Sequence, residues 1–246
     1  LVADWPSCEE PLQEPQIPVL REGPKVYLIP KQLTQSTIVL AGPGGVSQGS
    51  NQEYFASRIG NTILGTGGFS SRLMSKVRTD MGYTYAASSF WTTPARYEGI
   101  VGATTSTKSE STIEVVQMLK EIIGEMGENP PHREEVDQVI AQIVNSFVFN
   151  FQDPSQIVSR QMFYLSRDLP EDWLEQYVRG IQRVDPDDVQ RVFRRHVRPD
   201  EMVVLIVGDP ESFDLPPETL GEVEIWEPRS SVGLTEPRRE GPRFRR

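Results

Sequence analysis

The stretch that decides the fold is NTILGTGGFSSRLMSKVRTDMGYTYAASS, residues 61–89. It starts as the end of a helix and reaches a bend with Gly65, Gly67 and Gly68, which permit positive φ and the close approach of another chain. Ser70 or Ser71 is expected to open a second helix by accepting a hydrogen bond from its first free N–H groups. A strand should follow, so the stretch predicts helix, bend, helix and strand.

The second helix has one apolar face. Leu73, Val77 and Met81 recur at every fourth position, which places their side chains on one side of a helix. Gly82 comes next, at a position where helices commonly end in glycine. This helix is therefore expected to pack on a core and to stop before the strand begins.

The candidate functional residues are Arg78 on this helix and a tyrosine on the strand. Tyr83 and Tyr85 are two positions apart, so on a strand they point to the same face. Helix and strand thus bring an arginine and a tyrosine to one neighbourhood. On the residues alone we favour a structural role, in which Arg78 pairs with Asp80 or another neighbour and Tyr85 is a half-buried strand residue.

The glycine bend has two interpretations. A peptide could approach the backbone along Gly65–Gly68 if this segment is flexible, or the bend is simply a turn between helices. The pattern G-x-x-x-x-G-K-[ST] is missing, which argues against phosphate binding. Tyr83, Phe90 and Trp91, further along, fit a peptide groove and core or edge packing equally well.

Residues 70–89, SSRLMSKVRTDMGYTYAASS, resemble a segment in the second domain of pitrilysin/insulinase-type zinc metallopeptidases, closest to the members that are similar to mitochondrial processing peptidase. Residues 170–210 resemble that domain's closing segment. The resemblance implies two catalytic residues, an arginine and a tyrosine seven positions apart, which bind the substrate opposite the zinc. In this sequence they are Arg78 and Tyr85. It also leads us to assign substrate binding to four further residues: Gly67, Gly68, Phe69 and Tyr83.

The rest of the chain predicts an α+β fold, with a mostly antiparallel sheet packed on a layer of helices. Strands are expected at 25–29 and 36–41 as a pair, at 83–90 and 96–105 as antiparallel neighbours, and at 202–207. Helices are expected at 51–64, 109–126, 133–151 and 155–167, followed by two more before residue 197. Residues 1–24 are proline-rich and are expected to be an interdomain linker. The domain covers 25–210, and 211–246 form a C-terminal extension, partly disordered, in which 222–226 could be an edge strand.

Composition excludes several classes of protein. The 246 residues carry a net charge of −10, which argues against nucleic-acid binding. The single cysteine, Cys8, excludes an internal disulfide, and no apolar run approaches the ~20 residues that span a bilayer. We expect a soluble protein, with bacterial cytoplasm and periplasm both open. Because the chain starts at Leu1 rather than methionine, we expect a fragment of a longer parent.

The zinc chemistry of the resembled family is missing from this sequence. That chemistry needs H-x-x-E-H, with two histidines one helical turn apart and a glutamate beside them. The histidines here are His132 and His196 alone, and Val136 stands where the second ligand would follow His132. We therefore expect no metal site or cofactor in this chain and no hydrolysis by the chain alone. The resemblance implies zinc on a partner, either an N-terminal domain or a homologous subunit, and a peptide or unfolded polypeptide as substrate.

Three hypotheses for function remain. In the first, the chain is the zinc-free half of a peptidase and completes the active site of its zinc-bearing partner. In the second, it is a catalytically inactive scaffold, like the core subunits of respiratory complexes. The third, which has less support, is a self-contained peptide-binding module. The presence of both Arg78 and Tyr85 favours the first, because a scaffold has no evident need for the pair.

Overall fold

The computed structural model describes residues 25–49, 51–80, 86–147, 151 and 153–227, of which residues 78–80 are described by their backbone alone. Six strands form one mixed sheet in the order β3-β4-β2-β5-β1-β6. The strands are β1 (Lys25–Pro30), β2 (Gln35–Pro43), β3 (Ala87–Trp91), β4 (Ile100–Lys108), β5 (Val203–Gly208) and β6 (Glu222–Ile225). The α+β prediction is confirmed.

Strand direction divides the sheet into two parts. Strand β4 pairs antiparallel with β3 and β2, and β2 pairs antiparallel with β5. Strand β1 instead runs parallel to both β5 and β6. The predicted pair of strands β1 and β2 is therefore not adjacent, because β5 returns from the end of the chain and inserts between them. The possible edge strand at 222–226 is confirmed as β6, so the chain beyond Pro210 contributes to the sheet.

The helices follow the predicted order. They are α1 (Gln52–Asn61), α2 (Arg72–Met74), α3 (Thr112–Glu128), α4 (Arg133–Phe147), α5 (Pro154–Ser166), α6 (Trp173–Gln182) and α7 (Pro186–His196). Two of them continue as π-helix, α1 through Thr62–Thr66 and α2 through Ser75–Asp80.

The predicted strand at 96–105 begins only at Ile100, because residues 92–99 form a turn in which the Ile100 N–H donates to Thr92 Oγ1 at 2.8 Å.

The hydrophobic core lies between one face of the sheet and helices α1, α3 and α7. Alternate strand residues such as Ile38, Leu40 and Ile206 are fully buried there, as expected for a face that packs on helices. Phe193 of α7 is also fully buried, and its ring meets that of Trp91 edge to face at 5.0 Å. This core fixes α1 and α3 on either side of α7.

Hydrogen bonds define two of the helix starts. The carboxylate of Asp185 accepts from the Asp188 N–H at 2.8 Å, and the Asp188 carboxylate accepts from the Asp185 N–H at 3.2 Å, which forms a capping box for α7. The start of α3 is capped from a distance, because the Asp214 carboxylate accepts from the N–H groups of Ile113 and Glu114 at 2.8 and 2.9 Å.

Candidate functional site

The described structure includes the glycine bend but not the complete predicted pair. Arg78 lies in the π-helical stretch Ser75–Asp80, and its side chain lies outside the described residues. Tyr83 and Tyr85 also lie outside them, as do Met81 and Gly82. The pairing of Arg78 with Tyr85 therefore stays a prediction, and the structure defines the surroundings in which it would occur.

The outer part of the bend is open. The Gly67 N–H donates to Thr62 O at 2.9 Å and ends the π-helical stretch Thr62–Thr66. The residues after it form a tight turn, in which the Ser71 N–H donates to Gly68 O at 3.1 Å. Gly68 has φ +72°, a left-handed conformation that favours glycine, and a Cβ built on it would have open space around it. Phe69 is 77% exposed. Gly67, Gly68 and Phe69, which the sequence assigned to substrate binding, thus share a surface turn.

The inner part of the bend is fixed to the edge of the sheet. A Cβ on Gly65 would lie 2.2 Å from the backbone N of Ser89 in β3, so only glycine allows this approach. The Ser89 hydroxyl lies 3.0 Å from Asn61 O and 2.8 Å from Asn61 Oδ1, both acceptors on α1. The Ala87 N–H donates a hydrogen bond to the sulfur of Met74 at 3.1 Å. Residues 61–74 therefore cover the outer edge of β3 and hold the bend at this end.

The serines after the bend do not cap the helix in the predicted way. Ser71 occupies the N-cap position with extended backbone, φ −70° and ψ 151°, but its side chain makes no capping hydrogen bond to the helix. Its hydroxyl donates to Gly68 O at 2.8 Å, and the Ser70 hydroxyl donates to Gly67 O at 3.3 Å. The prediction of capping by side-chain acceptance was wrong, because both hydroxyls close the bend instead.

Two ion pairs anchor the helix that carries Arg78. Arg72 donates from Nε and Nη2 to the two carboxylate oxygens of Glu135 in α4, at 3.2 and 2.9 Å. One turn later, Lys76 Nζ lies 2.8 and 2.9 Å from the carboxylate oxygens of Glu125 in α3. Fork-like arginine–carboxylate pairs fix orientation as well as distance. These four residues were missed in the sequence because nothing local marks partners so far apart along the chain.

The surroundings of Glu135 affect its charge. Partial burial favours the neutral carboxyl, but hydrogen bonds from the Arg72 guanidinium and from the His132 backbone N–H outweigh this effect. The pKa of Glu135 is therefore lowered from its ordinary value of 4.5. The carboxylate that holds α2 against α4 is thus charged at neutral pH.

The two histidines are far from forming the pattern of a zinc site. His132 is exposed just before α4, and its backbone N–H donates to Glu135. His196 ends α7, where its Nε2 lies 3.1 Å from Glu53 Oε2. Among the residues that the structure describes, no three histidine, cysteine, aspartate or glutamate side chains gather as metal ligands. The described part of the chain therefore does not fit zinc.

Trp91 and Phe90 lie on opposite faces of β3. Trp91 is 4% exposed, and its Nε1 donates to Gly44 O at 3.1 Å, so it belongs to the core. Phe90 lies on the other face, where its ring covers Gly102 so closely that a Cβ on Gly102 would lie 2.6 Å from it. Of the two alternatives for Trp91, core packing is the correct one.

Comparison with known proteins identifies the family. A model of the peptidase M16 inactive domain matches residues 1–143, more than half of the chain. This chain belongs to that family, so the resemblance to pitrilysin-type metallopeptidases is confirmed. No curated protein matches the chain.

Solved structures show the same fold. A peptidase M16 inactive domain from Pseudomonas fluorescens is 26% identical, with a TM-score of 0.71 over 80% of this chain and 46% of that one. A chain of complex III2 from Candida albicans is 16% identical, with a TM-score of 0.63 over 77% and 46%. The ferredoxin protease FusC, solved with Arabidopsis ferredoxin, is 14% identical, with a TM-score of 0.65 over 81% and 22%. The chain thus spans half or less of the length of these three structures.

None of the described helices is both long enough and apolar enough to cross a membrane.

Proposed function

We propose that this chain is the substrate-binding, zinc-free half of an M16 metallopeptidase and completes the active site of a zinc-bearing domain or homologous subunit. The observation that carries the proposal is the family match, which covers the glycine bend, Arg78 and Tyr85. The fixed inner part of the bend and the two ion pairs support it, because they hold the backbone next to Arg78 in place. The substrate is a peptide or an unfolded polypeptide.

The chemistry of this half is transition-state stabilisation. Negative charge develops on the carbonyl oxygen as a peptide bond is hydrolysed. A guanidinium at Arg78 and a phenol at Tyr85 would donate hydrogen bonds to that charge, and one such donor contributes roughly 3 kcal/mol. The exposed turn of Gly67, Gly68 and Phe69 would offer backbone groups and one aromatic ring to the peptide nearby.

The test is reconstitution with the H-x-x-E-H-bearing half of the same system. We expect the mixture, and neither part alone, to cleave an unstructured peptide. Tyr85→Phe and Arg78→Ala should each lower turnover about 100-fold, as for the loss of one transition-state donor, with the zinc content of the mixture unchanged. Tyr97→Phe is the matched control, because Tyr97 is 40% exposed in the turn before β4. Unchanged turnover in both variants would reject the assigned roles.

The second candidate is a catalytically inactive scaffold. It is favoured by the shared fold with a chain of complex III2, at an identity that shows the fold alone. A scaffold would bind its partner stably and would leave peptides intact in every mixture. Stoichiometric zinc in the isolated chain would contradict both candidates.

A further inference from the structure

A groove of about 500 Å³ lies where helices α3 and α7 end. Its floor is apolar, because Ile123, Phe193 and Val197 are at most 6% exposed. Arg194 of α7 and Arg198, which follows this helix, also line the groove, and both are exposed. This α3–α7 groove therefore combines an apolar floor with charged walls, as binding sites commonly do.

Gly124 leaves room for another chain at the groove. It lies in the interior of α3, where glycine is less favourable than alanine. A Cβ at Gly124 would lie 3.7 Å from Pro199 Cγ, an ordinary van der Waals contact, so packing within the described residues does not require glycine. Gly127 differs, because its Cβ would lie 3.3 Å from the backbone N and Cα of Arg194 and would push the two helices apart. Glycine at position 124 instead suits the close approach of a further backbone.

The two arginines make the groove basic. Arg198 Nη1 donates to Arg194 O at 2.8 Å and to Val197 O at 3.0 Å, which holds its guanidinium against the end of α7. Neither Arg194 nor Arg198 forms an ion pair with another residue that the structure describes. Glu128 is the only described acid in the lining, so two arginines against one glutamate give the groove a net positive charge. The groove therefore favours an acidic occupant.

We infer that the N-terminal segment of this chain, residues 1–24, docks in the α3–α7 groove with its carboxylates beside Arg194 and Arg198. The segment is acidic, with five carboxylates against the single arginine Arg21. The carboxylates belong to Asp4, Glu9, Glu10, Glu14 and Glu22. Docking within the chain does not depend on the proposed function, because a peptidase half and a scaffold could both have it.

The composition of the segment also fits a groove. Its five prolines favour an extended backbone, which loses little conformational entropy when it binds. Apolar residues that can cover the floor follow the cluster of acids at positions 9 and 10. They are Leu12, Ile17, Val19 and Leu20.

The segment joins the fold at the end of the sheet where the groove lies. It leads into β1 at Lys25, and Val26 lies opposite Val204 in the parallel strand β5. Pro199, which lines the groove, comes just before β5. An extended chain covers about 3.1 Å per residue, and neighbouring strands lie about 4.8 Å apart. Residues 1–24 are therefore long enough to pass from β1 beyond β5 and reach α3.

The opposite end of the chain fits the groove poorly. Residues 228–246 contain six arginines and two glutamates. Like charges repel, so this basic tail is disfavoured beside Arg194 and Arg198. Charge therefore selects the N-terminal segment over the C-terminal one.

The experiment is paramagnetic relaxation enhancement in the isotope-labelled 246-residue chain. Cys8 is the single cysteine, so a nitroxide on its thiol marks the segment without any substitution. We expect the label to broaden the amide signals of Gly124 and Gly127 several-fold more than that of Gly208, which lies at the far end of β5. Reduction of the nitroxide should restore all three signals.

A matched pair of double variants tests the charges. Arg194→Glu with Arg198→Glu should remove most of the broadening at Gly124, because both cations of the groove become anions. Arg179→Glu with Arg183→Glu makes the same change in charge on exposed arginines at the end of α6, and it should keep the broadening.

A second set of changes covers the case in which the groove variant fails to fold. Glu9→Gln, Glu10→Gln and Glu14→Gln together remove charge from the segment and leave the described residues unchanged. They should also reduce the broadening at Gly124 several-fold.

Each outcome decides for or against docking. Loss of broadening in the groove variant, with broadening kept in the α6 variant, would support it. Equal broadening in both variants would overturn it, as would the strongest broadening at residues outside the groove. Broadening of an isotope-labelled chain by the nitroxide of a second, unlabelled chain would show that another copy supplies the segment, and would overturn docking within one chain. The proposed function is tested separately, by reconstitution of peptide cleavage.

Discussion

Gly65 is the most sensitive position in the glycine bend, and Gly65→Ala tests whether the bend is fixed to the sheet. A Cβ at residue 65 would lie 2.2 Å from Ser89 N, 2.6 Å from Ser89 Oγ and 2.7 Å from Ser89 Cβ. All three distances are far below van der Waals contact. The first atom belongs to the backbone of β3, which cannot rotate away as a flexible side chain would.

The expected loss of stability follows from this contact. Overpacking a close-packed site costs about 1–3 kcal/mol, and a backbone neighbour places Gly65→Ala at the upper end, about 3 kcal/mol. Gly68→Ala is the matched control in the same bend. There a Cβ has open space but φ is +72°, so the cost is only that of a left-handed alanine, about 1–2 kcal/mol.

Urea denaturation of both variants, followed by circular dichroism, measures the difference. The slope of the unfolding free energy against urea should not change, since the compactness of the folded and unfolded states is retained. If Gly65→Ala loses no more stability than Gly68→Ala, the bend is not fixed against β3. The argument that it positions the helix of Arg78 would then fail.

Two further predictions concern the surroundings of the site. Because the pKa of Glu135 is lowered in the folded state, its contribution to stability is complete above about pH 4.5 and is lost as the pH falls through the lowered value. Glu135→Gln should remove this part of the pH dependence in urea denaturation between pH 3 and 6, roughly the range of carboxylate titration, whereas the exposed neighbour Glu134→Gln should keep it. Asp214→Ala should lower the stability by about 1 kcal/mol through loss of the α3 cap, seen as a lower melting temperature than that of Glu211→Ala.

The parts of the fold that were predicted from sequence depend on local signals. The α7 helix was expected because Asp185-Pro186 and the acids behind it mark a helix start, and the structure places a capping box there. The apolar run at the end of the chain predicted β5. Its neighbours were not predictable, because the insertion of β5 between β1 and β2 joins segments from opposite ends of the chain.

The same limit applies to the site. Glycines in the bend were visible in the sequence, but their roles differ: Gly65 is required by Ser89, and Gly68 by its own φ. The Asn61–Ser89 contact joins residues 28 positions apart, and the Arg72–Glu135 pair joins residues 63 positions apart. Periodicity and turn chemistry carry no information about such partners. The assignment of Arg78 to catalysis came from the family resemblance rather than from any of these patterns.

The anchoring of α2 separates the two interpretations of Arg78 that the sequence left open. Arg72 binds Glu135 and Lys76 binds Glu125, so the helix has its own supports on α4 and α3. If Arg78 acts on substrate, Arg78→Ala should lower turnover and leave the unfolding free energy within about 0.5 kcal/mol, as for surface positions. Arg72→Ala, in contrast, should lower both together. A clear loss of stability in Arg78→Ala would show that its guanidinium is one more support of the helix, and the catalytic assignment would have to be given up.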